Sequence, residues 1–431
     1  MSNLSRRSFL RRAGTATVPL AVGAGLAHFG STLEGRVTSP GASRTAWTQL
    51  GAQLRARFTD LKRHFIFEYY PWYRTNPWFH WNQWDRVPPS DIAATSVPLM
   101  GPYDSGDTKV IEQHARWIVE SGAGAVNLSW WGKSSFPGQL AGKIMDVMAA
   151  HDIKVMFHIE PYRGRNARYV DDITWLISEY GDKRGWDAML LLRDARGRVG
   201  PVFKSFRTIV SQQTTDCHGI VTDVPDYTPD DEWNRRTDAV RQRFRGAFDH
   251  VTLLADSLQV KRVAASGFDG SAPYSNFRDD SEYRHQAERA TALGLLFSFN
   301  CNPGFDGIAR RNVAADSCYV PPPFHPDGEV FDWSLATERE RARKLAQGQI
   351  RDTLRTSIKV QLDPGLANYP RGFFLVFLNS FNEWHEGHQF EPAKKYRRLS
   401  EAERVVGYHN SRNGHARFRT LKRTLNQIVS G

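Results

Sequence analysis

Cysteine is the scarcest residue in this 431-residue chain. Cys217, Cys301 and Cys318 are odd in number, so at least one is unpaired within the chain, and none belongs to a CxxC pair. That excludes a disulfide-built scaffold and argues against a structural zinc site. Cys301 and Cys318 are a candidate bridge in an oxidising compartment, although folding before export, argued below, weighs against it. No apolar run is long enough to cross a bilayer convincingly, since the segment 13–27 is short and rich in Gly and Ala. No Gly-rich phosphate loop of the dinucleotide or nucleotide kind follows the first expected strand. Zinc-finger spacing, RNA-binding aromatic motifs, solenoid-length repeats and long low-complexity segments are all missing. His385-Glu386-Gly387-His388 is one residue short of the HExxH zinc motif, whose histidines must lie four apart. The expectation is an enzyme without metal or other cofactor, and without nucleic acid as partner.

What is present is a soluble globular composition, 40% hydrophobic and 24% charged. The net charge of +11 is concentrated towards the ends. The C-terminal stretch carries Lys394, Lys395, Arg397, Arg398, Arg404, Arg412, Arg417, Arg419, Lys422 and Arg423 against Glu401 and Glu403. A solvated helix face accounts for such a run more simply than a polyanion site does. At the other end, Ser5-Arg6-Arg7-Ser8-Phe9-Leu10 before a mild apolar segment is a twin-arginine export motif. It predicts the export machinery as a partner, a chain folded before translocation, no stable membrane insertion, and a periplasmic or secreted location. The expected organisation is an export signal over 1–30, a linker or peripheral segment over 31–58, a catalytic domain over 59–395, and a basic helical tail over 396–431, packed on that domain or extending it.

From residue 64 onwards, short apolar runs alternate with amphipathic stretches. Strands are expected at 64–67, 123–128, 154–157 and 295–300, with shorter candidates at 201–206, 219–223, 251–255 and 262–267. Helices are expected at 107–120, 138–151, 169–180, 231–244, 284–293 and 335–356. Strand, helix and strand at this spacing argue for right-handed βαβ units and a parallel sheet. The run 373–378 reads as a strand buried on both faces. Polar and aromatic residues gather where strands end: Tyr70, Trp72 and Tyr73; Trp130 and Trp131; His158, Glu160 and Tyr162; Glu383 and Glu386. That accumulation is the signature of a (β/α)8 TIM barrel, which presents its active site at the C-terminal ends of its strands. The expected fold is therefore a single α/β barrel domain with loop insertions, in preference to a doubly wound open sheet.

Glu383 and Glu386, interleaved with Asn382, Trp384 and His385, supply the two carboxyl groups that glycosidic cleavage requires. Sequence spacing does not fix their separation, so it does not discriminate retention from inversion. Glu160 is a third carboxylate, expected either to bind a sugar hydroxyl or to form a buried ion pair with Arg163 or Arg165. Tyr70, Trp72, Trp130 and Trp131 are candidate platforms for sugar faces, with core packing as the ordinary alternative.

Several of these motifs resemble glycoside hydrolase family 99, the endo-α-mannosidases and endo-α-mannanases. The resemblance runs through Tyr69-Tyr70-Pro71-Trp72-Tyr73, Ser129-Trp130-Trp131-Gly132 and His158-Ile159-Glu160-Pro161-Tyr162. It ends in Ser380-Phe381-Asn382-Glu383-Trp384-His385-Glu386-Gly387 with Gln389 and Glu391-Pro392-Ala393. It implies a (β/α)8 barrel, no metal, and retaining endo-hydrolysis of α-mannosidic bonds through a 1,2-anhydro sugar. The residue matching Glu383 would deprotonate the substrate's 2-hydroxyl, and that matching Glu386 would act as acid and then base. Glu160 would belong to the substrate site, near Tyr70, Trp130 and Tyr162, and Phe268-Asp269-Gly270 makes Asp269 a further candidate. The middle departs from the family pattern: Lys204-Ser205-Phe206 stands where the family carries Asp-Ser-Tyr, Ser271-Ala272-Pro273-Tyr274 replaces an aromatic run, and His388 replaces a Thr. The expected substrate is an oligo- or polysaccharide. Hydrolysis of another α-linked bacterial polysaccharide and non-catalytic glycan binding are the competing readings.

Overall fold

Every second side chain of a barrel strand points to the axis, so the sequence of each strand has to serve two interiors. In the computed structural model, which describes residues 40–274 and 280–430, eight parallel positions do so. They are β1 (Phe65–Tyr69), β2 (Ala125–Trp130), β3 (Lys154–Ile159), β4 (Val199–Ser205), β5 (Thr252–Ala255), β6 (Gly270–Ser271), β7 in two pieces (Leu296–Phe297 and Asn300–Cys301) and β8 (Val376–Leu378). The first piece of β7 pairs with β6, and the second places Asn300 opposite Phe377 of β8. β8 in turn pairs with β1, Val376 opposite Phe65, so the sheet closes on itself. The arrangement is the expected α/β barrel. The export motif lies outside the described residues.

Helices follow the strands in alternation: α1 (Pro40–Arg55) precedes the barrel, then come α2 (Thr108–Ser121), α3 (Phe136–Ala150), α4 (Arg165–Tyr180), α5 (Asp230–Arg243), α6 (Val260–Ala265), α7 (Asp280–Ala292) and α8 (Ala336–Gln361). After β8 the chain adds α9 (Glu401–Val406) and α10 (Ala416–Val429). Local sequence fixes several ends. The Asp107 carboxylate accepts from the Lys109 amide at 2.9 Å to start α2, and Gly122 ends it in the left-handed region. α1 and α10 are integral to the helical layer, with Leu54, Leu421, Leu425 and Ile428 fully buried. Burying each such side chain is worth about 1.5–3 kcal/mol.

Two cores result. Outward-facing Phe65, Phe67, Val126, Leu128, Val155 and Phe157 pack under the helices. Inward-facing Ile66, Ala125, Met156, Val202, Leu254, Leu296 and Phe377 fill the lower barrel. Above that apolar plug the inward positions turn polar, beginning with Glu68, Asn127, His158, Lys204 and Asn379, all buried.

Three expectations are corrected. The stretch 262–267 is not a strand: Val260 and Val263, three apart, are buried on one side of α6. Val221–Asp223 is a strand, but it pairs antiparallel with Gln213–Thr215 in an exposed ribbon outside the barrel. The disulfide joins Cys217 to Cys318, while Cys301 is the free thiol, buried beneath α8 beside the Ile350 carbonyl. Burial pushes that thiol's pKa up to about 12, so it is inert at neutral pH. Cys301 belongs to a barrel strand and its side chain is enclosed, whereas Cys217 and Cys318 sit on exposed loops.

Candidate active site

The connection after β8 doubles back on itself at the C-terminal mouth. The Ser380 amide donates to the His388 carbonyl at 3.2 Å, and the Phe390 amide returns to the Ser380 carbonyl at 2.8 Å. The Ser380 hydroxyl accepts from the Glu383 amide at 2.8 Å, starting the turn that carries both candidate acids. Gly387 completes the turn with φ +64°, and a Cβ there would lie 2.0 Å from the Asp306 carbonyl oxygen. Only glycine fits. Arg417 of α10 holds the turn from outside, donating to the Gly387 carbonyl at 2.6 Å.

Both carboxylates are buried, Glu383 at 1% and Glu386 at 4% exposure, but in different company. Glu383 Oε1 accepts from the His385 amide at 3.2 Å, with the His385 Nδ1 at 3.9 Å. Glu386 Oε2 lies 2.8 Å from the Tyr274 hydroxyl and 3.0 Å from His388 Nε2, and those two partners are 2.8 Å apart. Tyr274 comes from the end of β6, so the acid is clamped between two strands of the barrel. Burial, and then the charge of Glu383, raise the pKa of Tyr73 well above its ordinary value, keeping that phenol neutral.

The first-strand aromatics line the same mouth. The Tyr70 hydroxyl donates to Glu68 at 2.9 Å, and Glu68 is ion-paired with Lys204 inside the barrel. Tyr70 stacks on Trp72 at 4.8 Å between ring centroids, Trp72 on His80 at 4.9 Å, and His80 on His385 at 5.3 Å. Burial, followed by the neighbouring His385 and Arg74, lowers the pKa of His80 well below its ordinary value. On β2 and β3, Ser129, His158 and Glu160 face inward. The Ser129 hydroxyl donates to Glu160 at 2.8 Å, and His158 Nδ1 lies 3.9 Å from the same carboxylate oxygen. Arg165 donates to the carbonyls of Phe206 and Arg207, so its guanidinium ties down the connection after β4. Trp131 is half-buried, its indole N–H on the Ser129 hydroxyl at 3.2 Å and its ring 6.4 Å from that of Trp72.

Other expected site residues are placed elsewhere, for reasons rooted in alternation. Trp130 is neighbour to two inward-facing residues and so points outward, fully buried against Trp175 of α4 and the edge of Tyr162. Tyr162 turns to the same helix, its hydroxyl on Asp172. Asp269 precedes β6, at the opposite end of the barrel, where it accepts from the Leu253 amide at 2.7 Å and pairs with Arg241 at 3.1 Å. Trp384 is fully enclosed, donating to Glu391 at 3.0 Å, while its amide donates to the Tyr73 hydroxyl at 3.0 Å. Asn382 accepts from the Tyr70 amide at 2.8 Å and donates to the Tyr70 carbonyl at 3.1 Å, locking the β8 connection to the end of β1. Tyr73, Trp384 and Asn382 therefore shape the site from behind. Tyr274, His388, Lys204 and Arg417 join it without having been singled out as site residues. Only His388 carried a local signal, its place beside Glu386.

A cavity of about 560 Å³ opens on the N-terminal side, lined by Asp60, Lys62, Gly122 and Asp152, and holds none of these groups. Among the described residues one cluster offers three metal-type donors within 4.8 Å, Cys217, His218 and Cys318, with both sulfurs committed to the disulfide. No helix among those residues is long and apolar enough to cross a membrane.

A closed α/β barrel with two buried carboxylates on the turn after its last strand has the arrangement that a glycoside hydrolase requires. Residues 62–203 match the family model for glycosyl hydrolase family 99. A glycoprotein endo-alpha-1,2-mannosidase-like protein of Danio rerio is 28% identical over 369 residues, 75% of this chain and 70% of that protein. The glycoprotein endo-alpha-1,2-mannosidase of Xenopus laevis is 26% identical over 362 residues, covering 75% and 69%. The solved GH99 endo-alpha-mannosidase from Bacteroides thetaiotaomicron superposes with a TM-score of 0.58 at 22% identity, over 85% of this chain and 97% of the other. The chain is thus similar to glycosyl hydrolase family 99 over residues 62–203 and to proteins named endo-alpha-1,2-mannosidases over three quarters of its length, and it shares the fold of a solved member of that family.

Proposed function

We propose that the protein is an exported, retaining, endo-acting α-glycosidase that cleaves α-mannosidic linkages with the help of the substrate's own 2-hydroxyl. The observation that carries this reading is the unlike environment of two acids three residues apart on one rigid turn. Glu386 sits in a hydroxyl and imidazole cluster suited to moving a proton, while Glu383 is set by a backbone amide beside His385. Environments that differ in this way assign different roles to paired carboxyl groups.

In the first step Glu383 takes the proton of the 2-hydroxyl, whose oxygen attacks C1. The bond from C1 to the glycosidic oxygen breaks as Glu386 gives that oxygen its proton, leaving a 1,2-anhydro sugar. Water then attacks C1, Glu386 takes the water's proton, the C1–O2 bond opens, and O2 recovers the proton held by Glu383. Two displacements at C1 return the original configuration. Tyr70, Trp131, His158 and Glu160 are proposed to bind the sugar. Relatives named as endo-alpha-1,2-mannosidases favour α-1,2-linked mannose as substrate. The inward Lys204 and the Ser271-to-Tyr274 segment, which depart from the family pattern, favour a second reading: the same reaction on another α-linked polysaccharide. Export rests on the Arg6-Arg7 motif, and an exposed disulfide suits an oxidising compartment.

Digestion of α-1,2-linked manno-oligosaccharides by wild type, Glu383→Gln and Glu386→Gln, followed by NMR of the product anomer, tests the mechanism. Retention, with both variants slowed by several orders of magnitude, is expected. An inverted product, or a Glu386→Gln enzyme near wild-type rate, overturns it.

A further inference from the structure

Two long connections at the catalytic mouth run through solvent. The one after β4 spans 206–229 and contains the ribbon Gln213–Thr215 with Val221–Asp223. The one after β7 spans 302–335. Each is anchored at its root. The Asp306 amide donates to the Glu386 carbonyl and the Ile308 amide to the His385 carbonyl, both at 2.9 Å, so the second connection starts against the catalytic turn. The first starts where Arg165 holds the carbonyls of Phe206 and Arg207. Beyond these roots the segments 211–223 and 309–320 are almost wholly exposed. They meet where Cys217 is joined to Cys318, the Cys217 amide donates to Cys318 Sγ at 3.2 Å, and His218 Nε2 donates to the Asp316 carbonyl at 2.7 Å.

β4 and β7 are not neighbours. β5 and β6 stand between them in the closed sheet. A covalent link between their connections therefore spans the sector of the barrel that β5 and β6 occupy. The roots flank Tyr274, the residue that clamps Glu386: the Phe206 ring is 6.0 Å from that of Tyr274, and the Asp306 amide bonds to the Glu386 carbonyl. The linked segments thus form a strap fixed to the barrel on both sides of Tyr274. Neither connection has a packed core of its own over these exposed stretches, so the disulfide is what keeps the strap closed.

We infer that Cys217 and Cys318 are specificity-determining residues of this enzyme. Their disulfide closes a strap under which an unbranched stretch of α-linked glycan passes and a branched one does not. The inference rests on the glycosidase reading above and adds which chains that site admits. Opening the strap leaves the acids untouched, because the roots at Asp306, Ile308 and Phe206 do not depend on the sulfurs.

The test compares the oxidised full-length protein, Cys217→Ser, and the oxidised protein treated with a water-soluble phosphine. The phosphine takes oxygen from water as it is oxidised and leaves two thiols. Linear α-mannotetraose and a branched α-mannan are the probes, with peptide mapping of the disulfide and amide hydrogen exchange alongside. Opening the strap is expected to raise kcat/KM on the branched polymer at least fivefold relative to the tetrasaccharide, whose own value stays within twofold. Exchange is expected to rise in 211–223 and 309–320 and not in β2 or β3. An unchanged polymer-to-tetrasaccharide ratio overturns the strap and leaves the glycosidase reading standing, and so does finding Cys217 and Cys318 as free thiols in the protein as isolated. If no form cleaves any α-linked glycan, the glycosidase reading fails instead, and exchange that does not respond to reduction then overturns the strap by itself.

Discussion

The turn 380–391 and the insertions 211–223 and 309–320 all sit at the same end of the barrel, yet they are held by opposite means. The turn is pinned at short range on every side: by β1 through Asn382, by β6 through Tyr274, by the β7 connection through Asp306, and by α10 through Arg417. It contains buried polar groups whose partners are protein atoms, and such a region opens only when the surrounding structure does. The insertions have few partners, high exposure and one covalent tie. Catalysis needs its acids fixed to a fraction of an ångström, and selection of a large ligand tolerates, even requires, looser walls. The contrast is a division of labour between rigid chemistry and adaptable access.

Breaking the rigid side should be costly. Gly387→Ala forces a Cβ against the Asp306 carbonyl in a left-handed backbone, and the expected result is a loss of at least about a hundredfold in kcat together with about 1–3 kcal/mol of stability. Glycan hydrolysis and denaturant unfolding measure the two. Arg417→Ala leaves the Gly387 carbonyl without its guanidinium partner. A fall of about tenfold in kcat and a cost of about 1–3 kcal/mol are expected, and an unchanged kcat would show that the turn is rigid without α10.

Acid should act on the rigid side before the loose one. Burial lowers the pKa of His80 and of His64 from the ordinary 6.5, so the unfolded chain binds protons that the folded one excludes. Their contribution is present above pH 6.5 and is lost as the pH falls towards the folded-state values. The expected outcome is a melting temperature that declines from pH 7 to pH 5, with the decline reduced in His80→Gln. At the bottom of the scale, Arg311→Ala removes an ion pair between an insertion and Asp91, with Arg311 40% exposed. A change below about 1 kcal/mol is expected, and a larger one would mean that this insertion is not the loose region described.

The barrel was legible because most of its strands announce themselves as short apolar runs followed by a polar end, although β6, only Gly270–Ser271, does not, and 262–267 reads as a strand instead. The acids were legible because they close the most apolar run of all. What stayed hidden is instructive. Ser129-Trp130-Trp131 offers two indoles at a strand end, and alternation dictates that only one can reach the mouth. Which one depends on the register with β1 and β3, a property of the closed sheet and not of the tripeptide. Tyr274 lies 112 positions from Glu386, and no spacing rule relates residues that meet only because β6 and β8 share a barrel. Arg417 looked like one more cation in a basic tail. Lys204 was visible as a departure from the family pattern, but not its partner Glu68, which it meets across 136 positions inside the barrel. The disulfide eluded the sequence for the same reason, since it depends on where two exposed loops travel.

The bond from Arg417 to Gly387 also has a consequence for biosynthesis. Its donor lies in α10, which follows every barrel strand in the chain, so the catalytic turn gains its outer support only once α10 has been made and has docked. A nascent chain that has emerged only as far as the turn has both glutamates but not the brace behind them. A product truncated before α10 would be a barrel with its carboxylates present and its acid turn unheld.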